Sequence, residues 1–323
     1  MNSMSRLTDN NDSANASHAA SAPSDAHVSL QRLIQLQFDA RHFSLTTKQP
    51  IHSLLSGQHA SRLRGLGMIF EELRDYRPGD DIRSIDWLAT ARLRRACTRV
   101  YNEERDRPVL LLVDQRVNMF FGSIRTTKAT AAAELAALAA WRTLRMGDRV
   151  GALIFGDQEI VELKPQRSRT NVMRLCHQLV RINHGLSTQT SSRPGMLNEA
   201  LTRAVNLTSH DYLIVLITDY NGDDNQTTQL VSQLAAKNDV LAALVYDPLG
   251  ISINNRLPLD ATDGEQQVSI PVDERLSQQF QQAFIDRCET LQQRLRSIRI
   301  PILPIGTQHA VIDQLREALG AGG

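Results

Sequence analysis

Two solid apolar runs in this chain end in the same way: "VLLLVD" at Asp114 and "LIVLITD" at Asp219. A short continuous apolar run bounded by polar residues marks a strand buried on both faces of a parallel sheet. In open sheets of that kind, ligands bind beyond the carboxyl ends of the strands, where strand order reverses. If the two strands are central and adjacent, their carboxylates face each other across that crevice. Such a pair suits a hard cation such as Mg²⁺, which takes oxygen ligands. Asp after a strand also caps the helix or turn that follows, so the pattern alone leaves both readings open. A second chemical candidate lies upstream, where "RDYRPGDDIRSIDW", Arg74 to Trp87, interleaves acids and bases around a Pro-Gly turn.

Hydrolysis at that second stretch needs a positioned nucleophile or metal with a base in reach. Asp80, Asp81 and Asp86 supply carboxylates, but there is no Ser-His or Cys-His pairing, and the imidazole nearby is His59. Neither a P-loop nor a dinucleotide fingerprint occurs. Arg92, Arg94, Arg95 and Arg99, with Trp87 or Tyr101 as a stacking platform, offer a nucleic-acid reading. Glu71, Glu72, Asp75, Glu103 and Glu104 interleave opposing charge, however, which stripes that track phosphates usually lack. The reading we favour is a structural knot. Arginine–carboxylate pairs, specific through their bidentate geometry, fix an irregular loop onto a sheet domain. Trp87 is expected to bury its ring underneath, with part of the surface offered to a partner.

The elements that must position these groups follow from periodicity. Residues 1–28, rich in Ser, Asn, Asp and Ala, read as a disordered tail with no signal-peptide core. From Leu30, apolar residues at 30, 33, 34 and 38 recur at helical spacing, and the charged segment completes a first region, 29–107. From 108 to 323 the texture alternates. Strand "VLLLVD" precedes an Ala-rich helix, and "RVGALIFGD" and "EIVELKP" form an antiparallel hairpin. Helices "RTNVMRLCHQLVRI" and "MLNEALTRAV" lead to strand "DYLIVLITD", helix "QTTQLVSQLAAKND" and strand "VLAALVYDP". A long helix steps through Leu276, Phe280, Phe284, Cys288, Leu291 and Leu295 on one face, and a strand and a helix finish the chain. Strands alternating with helices specify an α/β fold with a mostly parallel sheet and flanking helices.

Composition narrows the class. The 323 residues carry a formal net charge of +1, which gives no global pull toward nucleic acid or an anionic membrane. Cys97, Cys176 and Cys288 are far apart and lack His or Cys at ligand spacing, so they read as reduced thiols. No apolar run approaches the roughly 20 residues of a membrane helix. The expectation is a cytoplasmic protein without direct membrane insertion.

A strand ending in Asp, then "DRVGALIFGD", then a strand ending "LITD" resembles a von Willebrand factor A domain, a Rossmann-like fold. The preceding "GQHASRLRGLGMIFEELRDYRPGDDIRSIDWLATAR" resembles the signature of the domain-of-unknown-function 58 family, which joins such a segment to an A-type domain. The resemblance runs from about Gly57 to the C-terminus. Its signature positions here are Arg74, Tyr76, Pro78, Gly79, Asp80, Asp81, Arg83, Asp86, Trp87 and Arg92. A-type domains bind Mg²⁺ through Asp-x-Ser-x-Ser, a distal Thr and a distal Asp. Here the first motif reads "DQRVN": Asp114 is kept, but Arg116 and Asn118 stand at the serine places, and Gly195 at that of the Thr. Asp219 completes the set. A guanidinium is cationic at working pH and has no lone pair for a metal, so Arg116 is expected to neutralise Asp114 and Asp219 itself, in a degenerate site with no cofactor. The resemblance implies a non-enzymatic binding component that acts with a MoxR-type AAA+ ATPase, and with other von Willebrand factor A proteins, in chaperone-like assembly. Asp114, Arg116, Asn118 and Asp219 are then the docking candidates. The alternative is a metal-dependent hydrolase using Asp114 and Asp219 or the PGDD loop.

Overall fold

The computed structural model describes residues 26–40, 68–77, 83, 85–103, 107–187, 189–250, 259–262, 267–270 and 274–319. Helix α1 (Leu30–Asp39) comes first. Strands β1 (Met68–Asp75) and β2 (Cys97–Glu103) follow, with the short helix α2 (Trp87–Leu93) between them. Next are β3 (Val109–Asp114), α3 (Lys128–Arg145), β4 (Val150–Phe155), β5 (Ile160–Gln166), α4 (Arg169–His184), α5 (Met196–Leu207), β6 (Leu213–Thr218) and α6 (Asn225–Ala235). The chain continues through β7 (Asp239–Tyr246), the small hairpin β8 (Leu259–Thr262) and β9 (Gln267–Ile270), α7 (Glu274–Ser297), β10 (Ile302–Gly306) and α8 (Val311–Leu319).

Six strands make the main sheet in the order β10-β7-β6-β3-β4-β5. All neighbours are parallel except β4 and β5, the hairpin expected from the tight turn between them. Ranked by position along the chain and read from the β5 edge, the order is 3-2-1-4-5-6. It reverses between β3 and β6, so the two aspartate-ended strands flank the switch point.

Alternation along β3 sorts its side chains onto two faces. Val109, Leu111 and Val113 join one core with α3, α4, α8 and α1, while Leu110 and Leu112 join the other with α5, α6 and α7. Helix α3 is buried at every position from Ala129 to Trp141, because it lies between the sheet and further helices. Its run of alanines fits that place: small side chains let the helix approach on all sides. Of the long C-terminal helix, Leu291 and Leu295 pack on the sheet, whereas Phe284 and Cys288 are half-buried.

Helix α1 belongs to this body rather than to the charged region that follows it. Leu33 and Leu36 are fully buried against α3, the Trp141 indole donates to the Leu33 carbonyl at 2.9 Å, and Arg32 pairs with the buried Glu134 at 2.9 Å. Phe38, expected on the inner face, is exposed, because the buried stripe runs through 33 and 36 instead. The end of the expected tail is also fixed. The Val28 N–H donates to Asn183 Oδ1, the Ala26 carbonyl accepts from Thr127 and Thr130, and His27 stacks on Phe120. Backbone polar groups satisfied in this way hold residues 26–28 on the body. No described helix is long and apolar enough to cross a membrane.

Candidate functional site

At the switch point, Asp114 ends β3 and Asp219 follows the last residue of β6; the pairing of Val113 with Ile217 brings the two strand ends level. Asp114 is fully buried. Its Oδ1 accepts from the Arg116 backbone N–H and from Arg116 Nε, both at 3.0 Å, and its Oδ2 accepts from Arg116 Nη2 at 2.7 Å and from the Thr218 hydroxyl at 2.6 Å. Arg116 is folded back on the residue two before it, with its guanidinium 5.7 Å from the Phe155 ring centroid. Asp219 accepts from Asn118 Nδ2 at 2.9 Å on each oxygen, from Lys128 Nζ at 2.6 Å and from the Asn221 backbone N–H at 2.8 Å. Arg116 Nη2 lies 3.9 Å from Asp219, a longer contact than the Lys128 pair. Arg116 therefore neutralises mainly Asp114, and Asp219 has a cation of its own.

The loop that carries these groups is fixed from below. Val117–Met119 form a turn of 3₁₀ helix, and Asp157 accepts from the Val117 N–H at 2.6 Å and the Arg193 N–H at 2.9 Å. Further along, Asp247 at the end of β7 accepts from the backbone and hydroxyl of Ser123 and from the Thr307 hydroxyl. Phe121, between these anchors and beside Lys128, and Ile124, just past the second anchor, are exposed. Gly195, at the place of the distal Thr, caps α5 at φ +83°, a left-handed conformation that disfavours any residue with a side chain.

The electrostatics of the two carboxylates diverge. Burial pushes the Asp114 carboxyl above its ordinary range, with Arg116 and Thr218 pulling against it. Burial acts on Asp219 in the same direction, but Lys128, the Asn221 N–H and Asn118 outweigh it and hold the carboxyl low. Arg116 is disfavoured by burial and favoured by Asp114 and Asp219; the net shift is upward, so it stays cationic. Each carboxylate thus already faces donors on both of its oxygens. Among the described residues no three His, Cys, Asp or Glu side chains cluster as a metal would require.

Lys128 was missed by the sequence reading, although a signal was there. It is the first residue of α3, after the Thr127 cap, and no acidic residue stands in that turn. A cation at a helix N-terminus works against the macrodipole, and an adjacent carboxylate such as Asp219 explains why it is tolerated.

The charged signature region departs from expectation at Trp87. The ring is 67% exposed, not buried, and α2 buries no residue at all. The cause is local. Asp86 caps the helix by accepting from the N–H groups of Leu88 and Ala89, so Trp87 becomes the first helical residue and projects outward with Leu88 and Leu93. Among the described residues, the two-stranded hairpin with its one short helix has no second layer under which a large ring could be buried. Tyr76 bonds the Ala96 carbonyl through its backbone N–H, Arg74 pairs with Thr98 in the hairpin register, and Arg83 and Arg92 are exposed. Arg95 and Asp75 pair at 3.2 Å, both largely exposed, a contact worth at most about 1 kcal/mol. Pro78, Gly79, Asp80 and Asp81 lie outside the described residues.

Residues 72–294, more than half of the chain, match the model of the family described as "Protein of unknown function DUF58". The chain belongs to this family. It is similar to uncharacterised proteins of Mycobacterium tuberculosis and Mycobacterium bovis, each 26% identical over 269 residues, 83% of this chain and of each relative. Among solved structures it is similar to BatB, a conserved hypothetical protein of Bacteroides thetaiotaomicron. That match has 14% identity, spans 66% of this chain and 98% of that one, and has a TM-score of 0.36. It is also similar to an uncharacterised membrane-spanning protein of Vibrio fischeri, with 17% identity, 66% and 94% coverage, and a TM-score of 0.22. In this DUF58 protein the family match thus covers the second half of β1, the exposed Trp87, β2 and the crevice at Asp114 and Asp219.

Proposed function

We propose that this protein is a non-enzymatic binding component whose sheet domain is a von Willebrand factor A-like fold with its metal site replaced by protein cations. In this reading it works with a MoxR-type AAA+ ATPase in chaperone-like assembly or maturation of other proteins, and the loop over the crevice is its docking surface. One observation carries the proposal: at the switch point, Asp114 is held by Arg116 and Asp219 by Lys128, where an A-type domain holds Mg²⁺. The order 3-2-1-4-5-6 with one antiparallel edge supports the fold assignment. The exposed Phe121 and Ile124, on a loop fixed by Asp157 and Asp247, support docking, because a preordered loop loses little conformational entropy on binding.

The test has two arms. Titration calorimetry with millimolar Mg²⁺ or Mn²⁺ is expected to show no saturable binding, and capture of the MoxR-type ATPase from the native cell is expected to fail with Phe121→Ser and Ile124→Ser together. Micromolar Mg²⁺ binding, or divalent-dependent phosphoester turnover lost in Asp219→Asn, would refute the reading in favour of a metal-dependent hydrolase.

A further inference from the structure

Helix α2 has its faces reversed. A surface helix ordinarily turns its apolar stripe to the body and its polar side chains to water. Here Ala89 and Thr90 are the half-buried residues, and the Thr90 hydroxyl accepts from the Cys97 N–H of β2 at 3.1 Å. Trp87, Leu88 and Ala91 share the opposite stripe and are exposed, Leu88 at 72% even more than the indole. Leu93, in the last turn, is exposed as well. Asp86 sets this register through its two cap bonds, so the outward projection of Trp87 and Leu88 is fixed by the local backbone.

The same surface is cationic. Arg92 lies one turn after Leu88, and Arg94 and Arg95 follow at the C-terminal end, all three exposed. The neighbouring acids are committed elsewhere, Asp86 to the cap and Asp75 to Arg95. Such a knuckle of indole, leucine and arginine discriminates between occupants. A second copy, packed on it about a two-fold axis, would bring Arg92 and Arg94 against their own counterparts. Nucleic-acid bases would stack on the indole but find no further ring in Leu88 or Leu93. A helix of seven residues is about 10 Å long, whereas a standard protein interface takes about 20–30 residues from each side. A lipid surface imposes no such size. Indoles settle at the level of the headgroups, leucines reach the acyl boundary, and guanidiniums pair with phosphates while their stems lie along apolar surface.

We propose that the α2 knuckle is a contact for an anionic membrane surface, with Trp87 and Leu88 entering the headgroup layer and Arg92, Arg94 and Arg95 on its phosphates. The contact is peripheral, since no described helix is long and apolar enough to cross a bilayer. It does not rest on the docking reading of the loop over the crevice.

Titration of the full chain with unilamellar vesicles tests it, using pure phosphatidylcholine or equal parts of phosphatidylcholine and phosphatidylglycerol. Trp87 and Trp141 are the two tryptophans of the chain, and Trp141 is buried, so a shift of emission to shorter wavelength reports Trp87. A saturable shift and co-sedimentation are expected with the anionic vesicles at millimolar lipid or below, with binding to neutral vesicles weaker by about tenfold or more. Each arginine near an anionic surface contributes about fivefold, so Arg92→Gln with Arg94→Asn should weaken binding by about twenty-fivefold. Asn suits the left-handed φ of 53° at position 94. Trp87→Ser with Leu88→Ser, followed by co-sedimentation, should cost about tenfold or more. Neither pair removes a buried side chain, and the emission of Trp141 checks that each variant is folded. No binding to the anionic vesicles, equal binding to neutral ones, or binding unchanged by Trp87→Ser with Leu88→Ser would each overturn the proposal. A Trp87-dependent complex with a protein, in a chain that ignores vesicles, would overturn it too and make the knuckle a protein interface.

Discussion

Replacing Arg116 by Ala should destabilise the fold by an amount that grows with pH. The guanidinium gives Asp114 two of its four donors, and without it only the Thr218 hydroxyl and one backbone N–H remain on a carboxylate with no solvent exposure. Breaking one side of a buried pair costs about 3–5 kcal/mol if the other side stays charged. Asp114 has an escape, because it can take up a proton. From an ordinary value near 3.9, holding it neutral costs about 1.4 kcal/mol per pH unit, hence about 3 kcal/mol at pH 6, about 4 at pH 7 and over 5 at pH 8. The smaller of the two costs sets the loss. In the variant the folded pKa of Asp114 lies further above its unfolded value than in wild type, where burial already raises it. The variant is therefore least impaired at low pH and loses stability as pH rises toward that folded pKa. Urea denaturation at pH 6, 7 and 8 can be followed through Trp141, which is 5% exposed and changes environment on unfolding. A second substitution, Asp114→Asn, should remove the pH dependence and recover much of the loss. If Arg116→Ala matches wild type at pH 8, or its loss does not vary with pH, the ion pair is not what holds this strand end.

Three further outcomes are expected. Trp87→Ala should change folding stability by no more than about 0.5 kcal/mol, as exposed substitutions do, measured by the same denaturation; a loss of 3 kcal/mol would place the ring in a core. Lys128→Ala removes the main force holding Asp219 below its ordinary pKa, and that depressed pKa contributes stability present above the unfolded value and lost as pH falls through the folded one. Acid denaturation curves of the variant should accordingly flatten below about pH 4, with reduced stability at pH 7. Leu33→Ala should cost about 2–5 kcal/mol by urea denaturation, because the side chain is fully buried under α3.

Much of the sheet domain was legible because its strands are buried on both faces. Runs such as 109–113 and 213–217 need no partner to be read, and an Asp at the end of each locates the crevice once the strands are adjacent. The position of Arg116 was legible too, since a side chain two residues from Asp114 has few other carboxylates in reach. Lys128 was not, because its contact joins residues 91 apart in sequence. The faces of α1 and α2 were hidden for a related reason. Apolar residues on a short helix say that something is covered, and only the tertiary partner says what; α3 covers Leu33 and Leu36, while the described residues leave Trp87 and Leu88 exposed.

The clamp on residues 26–28 has a consequence for synthesis. Val28 and His27 bond to Asn183, and His184 to the Val28 carbonyl, across sequence separations of 155 and 156 residues. At roughly 5–20 residues per second, a ribosome takes on the order of ten to thirty seconds to make that intervening chain. For that interval the apolar face of α1 has emerged, while α4, which supplies the bonds to Asn183 and His184, does not yet exist. The body therefore cannot close in the order in which it is made: α3 can cover Leu33 and Leu36 once it has emerged, but the bonds of His27 and Val28 wait for the fourth helix.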